Sequence, residues 1–167
     1  MPAYKAPLRD IQFLLFEMLK VDELYKSLTG HDEFNADLIN AILEEGAKFS
    51  ENELSPLFRS ADEEGCKLVN GEVITPTGFK EAYTKYVEGG WPSMSSAVEY
   101  GGQGLPNGLG IVAQEMAGSA NWSWGMYPGL SHGAVCTLEE HGTDKQKEVY
   151  LTKLISGQWT GTMCLTE

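Results

Sequence analysis

Apolar residues recur at intervals of three and four along most of this chain, and this spacing is the feature that most limits its fold. It places apolar side chains on one face of an α-helix, which must then pack against a neighbouring element. We therefore predict an all-α fold, an N-terminal helical domain of about six helices. The predicted helices span residues 10–20, 35–65, 75–89, 109–117, 121–140 and 143–157.

Two local signals interrupt the helical pattern. Pro56 lacks a backbone donor and crowds the preceding turn, so it should kink the second helix or divide it in two. Asn70-Gly71 lies between two β-prone pairs and predicts a turn or a very short hairpin within residues 66–74. The helical period is also lost between residues 91 and 107, where glycine-rich turn sequence follows.

Capping residues predict where several helices begin and end. Asp10 is the predicted cap of the first helix, and Thr75-Pro76 has the pattern of a cap and first helical position. Thr143 is followed three residues later by Gln146, which is the pattern of a capping box. Gly157 stands where that last helix should stop.

The tail from Trp159 to Thr166 has the composition of a β-strand. A single strand leaves its backbone donors and acceptors without partners, so its presence at the end of a helical chain indicates that a partner strand is missing. We therefore predict two parts, a helical domain over residues 1–157 and the start of a truncated β-domain over residues 158–167. The sequence does not indicate why the chain ends at Glu167.

Composition excludes several classes of partner. The 167 residues are enough for one domain with its own core, and the formal net charge is −12. Such a surface repels nucleic acid and anionic lipid, so neither is an expected partner. It also does not attract a phosphate-bearing ligand, which would need local cations or cations from another part of the protein.

The cysteines and the first residues predict the cellular location. The three cysteines are Cys66, Cys136 and Cys164, which are far apart and include no CxxC pair. They argue against a disulfide framework or a zinc site and favour a reducing compartment. The first residues do not form a signal peptide, and the sequence contains no apolar run long enough to span a membrane. We expect a cytoplasmic protein without a membrane span.

The short pattern Gly129-Leu-Ser131-His-Gly133 matches the G-x-S-x-G nucleophile elbow of serine hydrolases. The elbow needs a strand before the serine, and an acid and a histidine further along the chain. The residues before Ser131 make a poor strand, and His141 follows too soon for an intervening acid-bearing strand. We interpret the small residues as permitting close helix packing, and labelling of Ser131 by a fluorophosphonate would revive the hydrolase hypothesis.

Other chemical patterns favour structural roles. The glycines between Gly101 and Gly110 match neither the dinucleotide-binding nor the phosphate-loop spacing, so a structural loop is the better interpretation. The histidines share no ligand spacing, and His132, within an apolar stretch, is interpreted as a core or pocket-lining residue. From spacing alone, Trp122 and Trp124 are better explained as core than as a ligand pocket.

Two stretches resemble the acyl-CoA dehydrogenase family. They are Tyr100-Gly-Gly-Gln-Gly and the block HGTDKQKEVYLTKLISGQWTGTMCLTE over residues 141–167, in which capping box, helix, glycine stop and strand follow in order. The extension at residues 4–10 resembles the larger bacterial branch that includes the 3-methylmercaptopropionyl-CoA dehydrogenases. The family's proline and Gly-Ser-Asp sequence would follow Glu167.

The resemblance implies a protein of three parts, a helical domain, a β-domain and a helical bundle, with FAD between the last two. It implies α,β-dehydrogenation of an acyl-CoA thioester, with electrons passed to an electron-transfer flavoprotein. Homo-oligomers are also implied. The resemblance places the catalytic base beyond residue 167, so these residues alone are expected to be inactive and to hold FAD weakly or not at all.

The resemblance also assigns site residues. Met163, Leu165 and Thr166 match the strand that lies against the flavin, with Thr166 hydrogen-bonded to it. The helix after Asn121 matches the wall of the acyl pocket. Its predicted substrate-binding residues are Trp124, Gly125, Pro128 and His132.

Three hypotheses follow. The chain is the front part of a dehydrogenase, a stand-alone helical module that binds a partner without catalysis, or a serine hydrolase. Aggregation, and rescue of function by the missing domains, would favour the first. A stable monomer with an ordered tail would favour the second.

Overall fold

A computed structural model describes residues 3–28 and 34–165 of the chain. In this part of the chain the architecture is helical, as predicted, with one small two-stranded sheet. The α-helices are α1 (Leu8–Gln12), α2 (Val21–Ser27), α3 (Ala36–Phe49), α4 (Leu57–Glu64), α5 (Phe79–Glu88), α6 (Asn107–Ala120), α7 (Trp122–His141) and α8 (Asp144–Ile155).

Two π-helical segments extend these helices. Phe13–Met18 continues α1, and Ser50–Leu54 continues α3 up to the turn at Pro56. Division of the long second helix at Pro56 confirms the prediction. The short helix α2 was not predicted, and it follows Lys20, whose φ of 50° interrupts the helical path.

The Asn-Gly pair forms the predicted hairpin. Strand β1 (Lys67–Val69) pairs antiparallel with β2 (Glu72–Ile74), and Val69 lies opposite Glu72. The turn has φ angles of 53° at Asn70 and 83° at Gly71. Positive φ at both central residues is the requirement of the tight hairpin turn that Asn-Gly favours.

The last helix begins and ends as predicted. The Thr143 hydroxyl accepts a hydrogen bond from the Gln146 backbone N–H, and the Thr143 N–H donates to the Gln146 side chain at 2.9 Å. This is the complete capping box. Gly157 follows the end of α8 with a φ of 72°, the left-handed conformation that favours glycine.

Two predicted caps are wrong. Pro7, rather than Asp10, precedes the first helical residue, so Asp10 lies inside α1. Helix α5 begins at Phe79 instead of at Thr75-Pro76, because Gly78 has a φ of 89° and separates Pro76 from the helix. In both cases the residue types suited a cap, but the backbone path placed the helix start elsewhere.

The tail does not form the predicted strand within the described residues. Residues 160–165 have no strand pairing, and Thr166 lies outside the described residues. A β-strand is stabilised by its partner's backbone groups, and the described residues provide no second strand for the tail. A strand-like composition alone is therefore insufficient to form a strand in the tail.

The core lies where the longer helices pack. Helices α3 and α6 pack together, and α6 packs against α7, which in turn packs against α8. The fully buried side chains include Ile39, Leu43, Leu54, Leu109, Met116, Trp124, Leu151 and Ile155. Because α6 and α7 lie at the centre of this packing, the space between them and their neighbours is where a ligand groove can form.

Candidate functional site

A groove opens between α3, α5, α6 and α7 and is closed on one side by residues 91–95. Its cavity volume is about 80 Å³. Most of its surface is apolar and aromatic, with a few amide, hydroxyl and imidazole groups. The residues that define its walls include Gly46, Phe49, Ser50, Tyr83, Tyr86, Trp91, Met94, Ala113, Ala117, Gly118, Trp122, Gly125, Pro128, Gly129, His132 and Val135.

Glycines set the close approach of α6 and α7. A Cβ atom on Gly125 would lie 3.5 Å from the Gly118 Cα, and one on Gly118 would lie 2.9 Å from the Trp122 ring. A Cβ atom on Gly129 would lie 3.0 Å from the Gln114 amide nitrogen. The interpretation that small residues of the Gly129–Gly133 pattern permit close helix packing is therefore confirmed at Gly129, whereas a Cβ atom on Gly133 would contact nothing within 4 Å.

Three of the four predicted substrate-binding residues line the groove. They are Gly125, Pro128 and His132, which lie along one face of α7. Gly125 is buried, whereas the His132 side chain is exposed. His132 therefore lies towards the mouth of the groove.

The fourth, Trp124, lies in the core instead of on the groove surface. It is 0% exposed, and its indole N–H donates to the Phe79 carbonyl at 3.3 Å. A helix advances 100° per residue, so Trp124 and His132, which are eight residues apart, point in directions that differ by about 80°. They therefore do not share a narrow face of α7. Trp124 supports the groove from behind, with ring centroids 5.8 Å from Phe49 and 5.3 Å from Tyr86.

The neighbouring tryptophan takes the position at the groove. Trp122 is 63% exposed and belongs to the groove lining. The preference for core over pocket is therefore correct for Trp124 and wrong for Trp122. Trp122 and Trp124 are two residues apart, so their side chains are rotated by about 200° around the helix axis. This rotation explains why one lies at the groove and the other in the core.

Groove residues from other helices were not predicted as site residues. Phe49 and Tyr86 lie within the predicted helices 35–65 and 75–89, where apolar spacing indicates only that a side chain is buried, and Ser50 carries no signal in the sequence. Burial raises the pKa of the Tyr86 hydroxyl far above its ordinary value, so this group stays protonated and can donate a hydrogen bond. Burial likewise raises the pKa of Tyr83, whose hydroxyl donates to the Gly157 carbonyl at 3.2 Å.

Charged side chains are missing from the groove lining within the described part of the chain. A groove without lysine or arginine has no group to bind phosphates, and one without carboxylates has no strong base. Among the described residues, no cluster of three or more histidine, cysteine or acidic side chains could hold a metal ion. The arrangement suits an uncharged, largely apolar ligand.

Ser131 lies within helix α7 and has two structural hydrogen bonds. Its hydroxyl donates to the Tyr127 carbonyl at 3.1 Å and accepts from the Gly161 backbone N–H at 3.1 Å. A nucleophile elbow needs a strand-to-helix turn before the serine, and helix α7 has already begun at Trp122. The geometry does not support a serine hydrolase.

The other side chains beside Ser131 do not form a catalytic pair with it. The His132 ring lies 3.5 Å from the Cys136 sulfur, one turn along α7. Burial, with a smaller contribution from the Glu139 carboxylate, raises the pKa of the Cys136 thiol, which disfavours the reactive thiolate.

The tail crosses α7 and then presents apolar side chains to solvent. Gly161 is held by Ser131, and beyond it Met163 is 66% exposed and Leu165 is 82% exposed. Residues 162–165 have no backbone hydrogen bond to the rest of the described chain. Met163 and Leu165, two of the three predicted flavin contacts, are therefore accessible from outside the described chain. Thr166, the third predicted flavin contact, lies outside the described residues.

The groove and the tail together define a class of protein domain. It is a helical domain in which an apolar groove and an uncovered segment are accessible to a ligand or to another domain. Residues 37–158 match the family model described as "Acyl-CoA dehydrogenase, N-terminal domain". The match covers most of the chain, so the chain belongs to this family. Within the described residues, none of the helices has the length and apolar character needed to cross a membrane.

Curated relatives extend this similarity to nearly the whole chain. The chain is 42% identical over 164 residues to 3-methylmercaptopropionyl-CoA dehydrogenase from Ruegeria pomeroyi, with 98% of the chain and 28% of that protein covered. It is 35% identical over 168 residues to a butyryl-CoA dehydrogenase from Syntrophomonas wolfei, covering 98% of the chain and 27% of that protein. The chain thus spans little more than a quarter of the length of these relatives.

Proposed function

We propose that this chain is the acyl-binding domain of a flavin-dependent acyl-CoA dehydrogenase, which removes hydrogen from Cα and Cβ of an acyl-CoA thioester. The observation that carries the proposal is the uncharged groove beside α7, in a chain whose relatives are named as acyl-CoA dehydrogenases. Gly125, Pro128 and His132 line the groove and would contact the acyl chain.

Because the groove lining has no charged side chains within the described residues, this domain would bind only the apolar part of the substrate. Burial of the acyl chain in the groove would remove apolar surface from water, which is favourable. The groove offers no cation for the phosphates of coenzyme A in the described chain, so those groups would bind to other parts of the full-length protein.

The tail would contribute to the flavin site. Met163 and Leu165 are exposed and would be covered by the flavin ring, while Thr166 would supply a hydrogen bond. FAD, when bound, would accept the hydride from Cβ, and a base outside the groove lining would take the Cα proton. Electron-transfer flavoprotein would reoxidise the cofactor, and the intact protein would be a homo-oligomer.

Activity of the full-length protein tests this function. We expect the full-length protein to copurify with FAD and to convert acyl-CoA to 2-enoyl-CoA with an artificial electron acceptor. We expect the 167-residue chain to do neither. A full-length protein with bound flavin and no activity on any straight-chain or branched acyl-CoA would contradict the proposal.

A matched pair of variants tests the groove itself. In the full-length protein, Gly129→Leu would place a large side chain in the groove, whereas Gly133→Leu makes the same change one turn later, where a Cβ atom would contact nothing within 4 Å. Because both replace glycine in α7, their effects on helix propensity are matched. We expect Gly129→Leu to lower kcat/KM for long acyl chains at least about tenfold relative to Gly133→Leu. A loss of about this size is expected when one apolar contact in a binding pocket is removed. Equal losses in the two variants would contradict this placement of the acyl chain.

A further inference from the structure

Asn121 is a buried asparagine between α6 and α7, and its side chain forms two hydrogen bonds. It is 1% exposed, and its backbone leaves the helical conformation, with a φ of −159° and a ψ of 89°. Its Oδ1 accepts from the Trp124 backbone N–H at 3.2 Å and so caps α7. Its Nδ2 donates to the Leu54 carbonyl at 3.2 Å. One carboxamide therefore joins the start of α7 to a segment 67 residues earlier in the chain.

The Leu54 carbonyl lies where the backbone is interrupted. Leu54 is the last residue of the π-helical segment, two positions before Pro56. In an unbroken α-helix the Phe58 N–H would donate to Leu54, but here it donates to the Ser55 carbonyl at 3.3 Å. Leu54 is 0% exposed, so its carbonyl is shielded from solvent and is satisfied by the Asn121 amide.

The two bonds of this carboxamide help to fix how α7 is rotated about its axis. A third bond supports them, because the Trp124 indole N–H donates to the Phe79 carbonyl at 3.3 Å. With this rotation Trp122, Gly125 and Gly129 line the groove, whereas Trp124 faces the core. A rotation of α7 towards the position one residue away, about 100°, would move the glycines off the groove and bring larger side chains to it.

We infer that Asn121 is a positioning residue, whose hydrogen bond to Leu54 fixes the rotation of α7 and thereby the side chains that line the acyl groove. This inference rests on the proposed function and deepens it, because it names the group that sets the shape of the acyl-binding wall. Asn121 is not part of the groove lining and acts through α7. Helix capping alone does not require the bond to Leu54, since aspartate and serine cap helices about as well as asparagine.

Substitutions of Asn121 in the full-length holoenzyme separate the bond to Leu54 from the cap. Asn121→Asp and Asn121→Ser both keep an oxygen that can cap α7, and both remove the amide nitrogen that reaches the Leu54 carbonyl. The controls are Asn35→Asp and Asn35→Ser. Asn35 is an exposed asparagine that caps α3, and its Oδ1 accepts from the Leu38 N–H at 3.0 Å.

The measured quantity is a ratio of kcat/KM values for two straight-chain acyl-CoA substrates. They are the longest and the shortest that the wild-type enzyme oxidises in a series from butyryl- to dodecanoyl-CoA. A merely structural defect lowers the amount of active enzyme and reduces both values by the same factor, so it leaves the long-to-short ratio unchanged.

We expect both Asn121 variants to lower the long-to-short ratio about five- to tenfold, the effect of one neutral hydrogen bond on the rotation of α7. The long chain loses more because larger side chains then enter the groove. Both Asn35 variants should keep the ratio within about twofold of wild type. Flavin content and the unfolding midpoint are measured on every variant to show that it is folded.

The possible failures are distinguishable. An active wild-type enzyme whose ratio is unchanged in both Asn121 variants would overturn the positioning role and leave the proposed function intact. Loss of folding in both Asn121 variants would overturn it too, because Asn121 would then be required for the fold rather than for the groove. An equal decrease in the Asn35 variants would assign the effect to helix capping. A flavin-loaded wild-type protein that oxidises none of the series would overturn the proposed function and the inference with it.

Discussion

At the scale of single residues, Gly161 and Ser131 hold the tail against α7. The Gly161 N–H donates to the Ser131 hydroxyl at 3.1 Å, and this approach depends on the missing side chain. A Cβ atom on Gly161 would lie 2.6 Å from the Ala134 Cβ and 3.1 Å from the Ser131 Cα. Backbone and Cβ atoms cannot move aside as the end of a flexible side chain can. The serine that resembles a nucleophile in the sequence therefore has a structural role.

We expect Gly161→Ala to displace the tail from α7 and to break its hydrogen bond to Ser131. Loss of about 1 kcal/mol of net hydrogen-bond stability should speed amide hydrogen exchange at residue 161 roughly five- to tenfold. Thr162→Ala, at an exposed neighbouring position, is the control and should leave the exchange rate within twofold, about the effect of an ordinary surface change. Exchange rates that match in the two variants would show that the tail is not anchored at Gly161.

At the scale of elements, the π-helical segment Ser50–Leu54 attaches the start of the chain to the end of α3. The Glu51 carboxylate accepts a hydrogen bond from the Ala6 N–H at 3.0 Å and pairs with the Lys5 ammonium. The Tyr4 N–H donates to the Ser55 hydroxyl at 3.3 Å. The same segment thus holds the first residues on one side and places Ser50 in the groove on the other.

These contacts make stability depend on pH. The hydrogen bond from Lys5 and then the one from the Ala6 backbone lower the pKa of Glu51 below its ordinary value. A lowered folded-state pKa means that the contribution is complete above the unfolded-state value of about 4.3 and is lost as pH falls through the folded-state value.

We therefore expect Glu51→Gln to reduce the free energy of unfolding by about 1 kcal/mol at pH 7, because the charge-assisted contacts are weakened. The difference from wild type should begin to shrink as the pH falls below the unfolded-state value of about 4.3, and it should be lost as the pH falls through the lowered folded-state value. Urea unfolding across this pH range measures it. Glu45→Gln, in an exposed pair with Lys48, should change little at any pH, and an equal loss there would contradict the role of Glu51.

At the scale of the whole molecule, much apolar surface is left uncovered. It occurs on the first helical segments, on the hairpin, at the start of α7 and in the tail. The exposed side chains include Leu14, Met18, Leu19, Leu68, Val73, Trp122, Met163 and Leu165. Large exposed apolar patches mark interaction surfaces, and the chain spans little more than a quarter of its relatives' length. We interpret the tail surface as one that the rest of a full-length protein would cover.

The isolated chain is therefore expected to self-associate as its concentration rises. Replacing Met163 and Leu165 together by serine should shift the equilibrium towards monomer, because both side chains are exposed and apolar. Thr162→Ser is the control. Light scattering coupled to size-exclusion chromatography measures the mass, and a wild-type chain that stays monomeric at every concentration would contradict the prediction.

The local structure of this protein could be predicted well from its sequence. Helices α3, α5, α6, α7 and α8, the break at Pro56, the hairpin at Asn70-Gly71 and the capping box at Thr143 all follow from interactions between residues a few positions apart. Such interactions are encoded in short stretches, so spacing and residue type are sufficient. The predicted start of α5 at Thr75-Pro76 was wrong. The positive φ of Gly78 sets the start of the helix at Phe79, although Thr75-Pro76 has suitable residue types.

The groove could not be predicted in the same way. Gly125, Pro128 and His132 were located through a family resemblance, but the orientation of Trp124 towards the core and of Trp122 towards the groove depends on how α7 packs against α5 and α6. The hydrogen bond from Asn121 to the end of the π-helical segment forms only because segments far apart in the chain meet there. The sequence by itself determined the helices, since their hydrogen bonds are local, whereas only the tertiary structure decided which faces meet and which side chains line the groove.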